Sequence, residues 1–139
     1  MPIQKLNPYL NYAGNAAEAI ALYERALAAK TESLMRWGEM PGADCPAAQR
    51  DKIMHAELQV GGGQLMICDE PLDHPRAVGT NVHVCLHFDD VADMTSKFDA
   101  LSRGGEVTMP LQETFWGATF GMLTDAFGVR WMFDCEKQR

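Results

Sequence analysis

The sequence has no run of basic residues, no closely spaced cysteine pair and no apolar stretch near the length of a membrane span. Each absence removes a class of function. Nucleic-acid binding needs a basic stripe to neutralise phosphates, whereas this chain carries a formal charge of -7 with scattered Arg and Lys. A bilayer span needs roughly 20 consecutive apolar residues. The amino terminus, MPIQKLNPYL, holds no apolar core of signal-peptide length. A cytoplasmic protein with reduced thiols is therefore expected. Cys45, Cys68, Cys85 and Cys135 form no CxxC pair, which argues against a structural zinc knuckle. Gly61-Gly62-Gly63 joins two strand patterns and no GK[ST] follows, so it reads as a hairpin turn and not a phosphate cradle. No Ser-His-Asp order or reactive Cys-His spacing stands out.

What is present is a repeated pattern. Asn7 to Leu27 and Asn81 to Leu101 each read as a strand, a sharp turn and a helix. With a shift of 75, Asn15 meets Asp90, Ala17 meets Ala92, Glu18 meets Asp93 and Tyr23 meets Phe98. Asn15 and Asp90 stand where a side-chain acceptor caps a helix start. Behind them, Ala16, Ala19, Ile20, Tyr23, Ala26 and Leu27 form one apolar face, and Val91, Met94, Phe98 and Leu101 the other. At 139 residues, 47% of them hydrophobic, the chain suits one domain built from two half-domains.

The intervening segments supply strands. The pattern predicts strands over 6–12, 31–39, 53–60 and 64–69, and again over 81–88, 106–109, 115–124 and 129–134. Helix 1 is expected to end near Ala29 and helix 2 near Arg103, with Gly104-Gly105 behind it. Residues 40–52 read as a long loop of the kind that is usually functional or mobile. The domain expectation is a first module over 1–70, a linker over 71–80 and a second module over 81–139. The fold class is α+β: two βαβββ modules forming a cupped eight-stranded mixed sheet with helices on its outer face. The apolar faces, Val82, Val84, Leu86, Phe88 and Met54, Ala56, Leu58, Val60, should meet the helices. The mixed faces should line the cup. Cys68 and Cys85, inside apolar strands, are expected as small core residues.

Paired βαβββ modules resemble the vicinal oxygen chelate superfamily of glyoxalase I, bleomycin-resistance proteins and extradiol dioxygenases. Within it the chain is similar to the PhnB-like branch, through PYLNYAGNAAEAIALYERAL (8–27), WGEMPG (37–42), KIMHAEL (52–58), LMICDE (65–70) and LQETFWGATFGMLTDAFGVRWM (111–132). Such proteins often carry the name of a 3-demethylubiquinone methyltransferase. This chain lacks the Gly-rich strand-to-helix turn that a nucleotide-like methyl donor requires. The resemblance implies four metal-ligand positions, on the first and last strand of each module. They fall on Asn7, near Ile67, on His83 and on Met132. Only His83 is a plausible ligand for Zn, Ni or Fe, so the usual tetrad is not expected.

The candidate ligand-binding residues are His55, Glu57, His83, Trp116, Arg130 and Asn7. His55 and Glu57 share a strand face and could line a cleft; the plain alternative is a solvated polar face. His83 and His87 lie i, i+4 on a strand, roughly 13 Å apart, too far to share one ion. His74, in a Pro-flanked linker, is given no role. Trp37, Phe115, Trp116 and Phe120 supply aromatic surface for a cleft, a core or an interface. Arg130 could pair an anionic ligand. Asp69 is matched with Asp134 as a strand-end feature. The functional expectation is a PhnB-like small-molecule-binding protein without the metal tetrad and with no predicted cofactor. The alternative is a metal-dependent lyase, isomerase or dioxygenase with a divalent ion on His55, Glu57 and His83. Catalytic residues are not identified. The expected partners are a small-molecule ligand and a second copy in a homodimer, with neither nucleic acid nor membrane.

Overall fold

The computed structural model describes residues 2–73 and 77–136. His74 lies outside the described residues. The chain divides into two compact units, Met1–Ala77 and Val78–Arg139. Each unit is a four-stranded mixed sheet carrying one helix.

The first unit contains β1 (Tyr9–Tyr12), α1 (Ala16–Leu27), β2 (Lys30–Arg36), β3 (Ile53–Val60) and β4 (Gly63–Asp69), in sheet order β1-β4-β3-β2. β1 runs parallel to β4 and the other pairs are antiparallel. Gly61 and Gly62 form the β3–β4 turn with φ +54° at Gly61, while Gly63 already pairs with Val60. The helix face predicted from spacing is the buried one: Ala16, Ala19 and Tyr23 are fully covered, with Ile20, Ala26 and Leu27 nearly so. Against it the sheet presents Tyr12, Ala56, Leu58, Leu65 and Ile67. The Tyr12 and Tyr23 hydroxyls meet at 2.7 Å, which satisfies two polar groups in this core.

Asn15 occupies the cap position of α1 but makes no side-chain cap bond; its buried Oδ1 has no partner among the described residues. The cap comes from β4 instead. Asp69 Oδ1 accepts from the amides of Gly14 and Ala16, both at 2.9 Å, and Oδ2 accepts from Ile53 N at 2.9 Å. One buried carboxylate thus fastens helix start, β3 start and β4 end together. Trp37 is not in a strand: β2 stops at Arg36, and Trp37–Glu39 is a 3-10 turn whose indole donates to the Asp69 carbonyl at 3.0 Å. The loop over 40–52 contains a second such turn, Ala47–Gln49, and is pinned down. Buried Gln49 donates to the Glu70 carbonyl and accepts from Leu72 N, while Lys52 Nζ donates to the Gly14 carbonyl.

The second unit contains β5 (Val84–Phe88), α2 (Val91–Ser102), β6 (Glu106–Glu113), β7 (Ala118–Thr124) and β8 (Arg130–Glu136), in order β5-β8-β7-β6. Here the cap is local, as the sequence suggests: Asp90 accepts from Ala92 N and Asp93 N. Met94, Phe98 and Leu101 of α2 pack over Leu123, Trp131 and Phe133, with Phe98 edge-on to Phe133 at 5.0 Å. Val91 and Val82 depart from expectation. Val82 precedes β5 and is 71% exposed, and Val91, on the first turn of α2, is also exposed. β6 extends through the PLQE stretch to Glu113, leaving only Thr114 to Gly117 as the connection to β7. Buried Asp125 holds the β7–β8 turn, accepting from Phe127 N, Val129 N and Trp131 Nε1.

Among the described residues no helix is long and apolar enough to cross a membrane.

Candidate functional site

In each sheet one face is spent on the helix, so the chemistry resides on the other. In the first unit the pairings Tyr9↔Met66, Glu57↔Met66, Gln59↔Gln64 and Asn11↔Cys68 put those residues on the face away from α1. His55, two residues from Glu57, shares that face.

Their polar groups form one directed chain. Tyr9 is partly desolvated, and burial first, then the neighbouring Cys68 and Glu57, push its phenol above the ordinary 10.0. Its hydroxyl is hydrogen-bonded to His55 Nδ1, 2.9 Å away. The other imidazole nitrogen, Nε2, faces Glu57 Oε1 at 3.3 Å. Glu57 Oε2 accepts from Gln64 Nε2 at 3.3 Å. Gln64 Oε1 in turn accepts from Asn7 Nδ2 at 2.9 Å and Lys5 Nζ at 2.6 Å. The donors converge on a half-exposed carboxylate whose lone pairs exceed its two partners. Cys68 closes the end beside Tyr9, its thiol 3.0 Å from Asn11 Oδ1 and, by burial, raised above its usual pKa.

Three of the six expected binding residues, Asn7, His55 and Glu57, are thus gathered in one network. The sequence reading missed Tyr9, Gln64, Lys5 and Cys68 as its members. The signal was available in strand parity: Asn7, Tyr9, Asn11 and His55, Glu57, Gln59 alternate as polar faces, and Gln64 and Cys68 have matching parity on β4.

The other three lie in the second unit. His83 is half-buried, one residue ahead of β5, and Arg130 opens β8 opposite Thr124. Trp116 sits in the β6–β7 turn, 57% exposed, edge-on to Phe115 at 5.0 Å and near Phe120 at 6.0 Å. On the sheet face away from α2, His87 Nδ1 meets Asp134 Oδ2 at 3.3 Å. This pair aligns with Asn11 and Cys68, because His87↔Asp134 and Asn11↔Cys68 hold the same ladder position. Asp134 is therefore not the counterpart of Asp69. Asp69 faces the helix, and its counterpart there is Cys135.

The thiols also differ from expectation. All four cysteines are free; Cys135 is the buried one, Cys85 is exposed and Cys68 is intermediate on its open face. Apolar neighbours in sequence mislead here because alternate residues of one strand belong to opposite faces.

The divalent site implied by the resemblance can be tested on donors. Register moves the first module's last-strand position from Ile67, which is fully buried against α1, to Met66, the counterpart of Met132. The positions then hold an amide, an imidazole and two thioethers, a set unsuited to Zn, Ni or Fe. In addition, His55 Nδ1 is engaged by the Tyr9 hydroxyl at 2.9 Å. Within neither unit does any group of three or more His, Cys, Asp or Glu side chains converge, among the described residues.

The description Glyoxalase/Bleomycin resistance protein/Dioxygenase superfamily matches residues 5–133. The chain is similar to Protein YjdN of Escherichia coli, at 35% identity over 96% of this chain and 97% of that one. It is also similar to protein PA1353 from Pseudomonas aeruginosa, whose crystal structure superposes with a TM-score of 0.86 at 40% identity, covering 98% of this chain and 100% of that one. The PhnB protein from Bacillus cereus shares the fold, with a TM-score of 0.78 at 22% identity over 95% and 99% of the two chains. The chain therefore belongs to the glyoxalase, bleomycin resistance protein and dioxygenase superfamily and has the PhnB-like form of its fold.

Proposed function

We propose that this protein binds a small organic molecule and that Glu57, on the open face of the first module, is the principal anchor. The supporting observation is the directed network: Tyr9, His55 and Gln64 orient a half-exposed carboxylate without using all its lone pairs. Such a group recognises a hydrogen-bond donor, so the ligand class is an amine, amidine or amide. Asn7 acts indirectly by fixing Gln64. In the second module, His83, Arg130 and Trp116 are the proposed binding groups. The protein works in the cytoplasm as a homodimer.

The test is a thermal-shift screen of small aliphatic and aromatic amines and amides. A ligand at 100 times its Kd stabilises the fold by about 2.7 kcal/mol. Hits should lose most of that shift in Glu57→Gln and part of it in Tyr9→Phe. Hits indifferent to both substitutions would place recognition elsewhere. Stoichiometric Zn, Ni, Mn or Fe in untagged protein, lost in His83→Ala, would favour the metal-dependent enzyme instead.

A further inference from the structure

The second module carries a row of sulfur across its open face. Cys85 pairs with Met132, Met132 with Met122, and Met122 with Met109, so one ladder level holds a thiol and three thioethers on successive strands. Its orientation is fixed by what lies on the other side: Trp131, Phe133 and Leu123, the intervening residues of β8 and β7, are fully buried against α2. The row therefore points away from the helix. Met132, Met122 and Met109 are half-buried and Cys85 is exposed, so none of the four side chains is sealed in the core. Adjacent strands stand about 4.8 Å apart, and flexible methionine side chains can bring neighbouring sulfurs onto a common point. The next level, His87–Asp134 and Phe120, shows that side chains on this face do meet.

We propose that Cys85, Met132 and Met122 form a site for a soft monovalent metal ion of the Cu(I) class. Thiolate and thioether ligands select such an ion over Zn, Ni or Mn, which prefer nitrogen and oxygen. Binding replaces the S–H bond of Cys85 by an S–Cu bond and releases the proton to water, with no change in oxidation state. Met109 extends the row and gives a third thioether behind Met122. None of these ligands belongs to the Glu57 network, whose members all come from the first module.

The experiment is anaerobic titration of the full chain with Cu(I) against a chromogenic Cu(I) chelator. One equivalent should leave the chelator per chain, and X-ray absorption should show sulfur neighbours. Met122→Leu/Met132→Leu, which keeps volume and apolarity, should weaken binding at least about tenfold. Cys85→Ser, at an exposed position, should abolish it with the circular dichroism spectrum retained. No uptake, uptake unchanged in the double-leucine variant, or loss on Cys68→Ser in place of Cys85→Ser would each overturn the assignment.

Discussion

Removing the Asp69 carboxylate tests the structural argument where it departs furthest from the sequence. The side chain is 1% exposed and accepts three backbone amides, from Gly14, Ala16 and Ile53. In Asp69→Ala, the amides of Ala16 and Ile53, both fully buried residues, lose their acceptor where water does not replace it. A stranded buried amide costs about 1–3 kcal/mol, and a lost helix cap about 0.5–2 kcal/mol. These overlap, so the expected loss is about 3–5 kcal/mol, a drop of roughly 10 °C or more in Tm. Asp69→Asn preserves shape, but its NH2 faces the Ile53 donor in place of an acceptor, and about 2 kcal/mol is expected. Asn15→Ala, at the position that sequence designates as the cap, should cost less than about 0.5 kcal/mol because Asn15 makes no cap bond. Urea denaturation and hydrogen exchange at Ala16 and Ile53 measure both effects. The reasoning fails if Asn15→Ala equals or exceeds Asp69→Ala, or if Asp69→Ala falls within about 1 kcal/mol of wild type.

Further outcomes follow from single positions. Ala28 closes α1 with φ 57°, so Ala28→Gly should stabilise by about 0.5–1 kcal/mol in the same denaturation assay. A Cβ on Gly105 would overlap the Thr124 carbonyl and the Asp125 backbone, whereas Gly62 has open space; Gly105→Ala should cost more than about 3 kcal/mol and Gly62→Ala less than about 1 kcal/mol. Burial, then the negative charge of Asp134, hold the Cys85 thiol above its ordinary 9.0. Alkylation of Cys85, followed by mass spectrometry, should therefore lag a free thiol at pH 8 and accelerate as pH rises past 9.0, and Asp134→Asn should speed it. The folded state keeps this proton longer than the unfolded chain. Its contribution to stability is present below pH 9.0 and is lost as pH rises through the folded value.

The fold was legible because its signals are periodic. Helix faces spaced at 3.6 residues and the glycine turn after β3 name their elements without tertiary help. Strand lengths were less legible, since β6 runs on through Pro110 at the sheet edge, where a missing N–H is tolerated. The Asp69 cap was invisible for a different reason. It joins residues more than 50 positions apart, and a cap rule reads only the residue next to the helix. Asp69 and Asp134 looked alike by sequence spacing, but ladder register turns one toward the helix and the other away. The Glu57 site was half legible: parity put Asn7, His55 and Glu57 on open faces, yet only pairing reveals that Gln64 links them.

Ladder positions explain why one backbone plan carries two chemistries. With Met66 matched to Met132, Tyr9 corresponds to Cys85, Glu57 to Met122 and Gln64 to Arg130. On the helix-facing side the same register matches Leu10 with Leu86, Leu58 with Leu123, and Ile67 with Phe133, apolar with apolar, and only the strand-end pair Asp69 and Cys135 breaks the pattern. The core must exclude water in both modules, so exchange there is mostly of one apolar residue for another. The open face has no such constraint, and a hydrogen-bonded carboxylate in one module stands where a thioether stands in the other. A ligand that suits Glu57 finds no acceptor at Met122, and a soft ion that suits Met122 and Cys85 meets carboxylate and phenol at Glu57 and Tyr9. The duplication therefore supplies two open faces of different chemistry, a carboxylate with its donors in one module and a thiol with thioethers in the other.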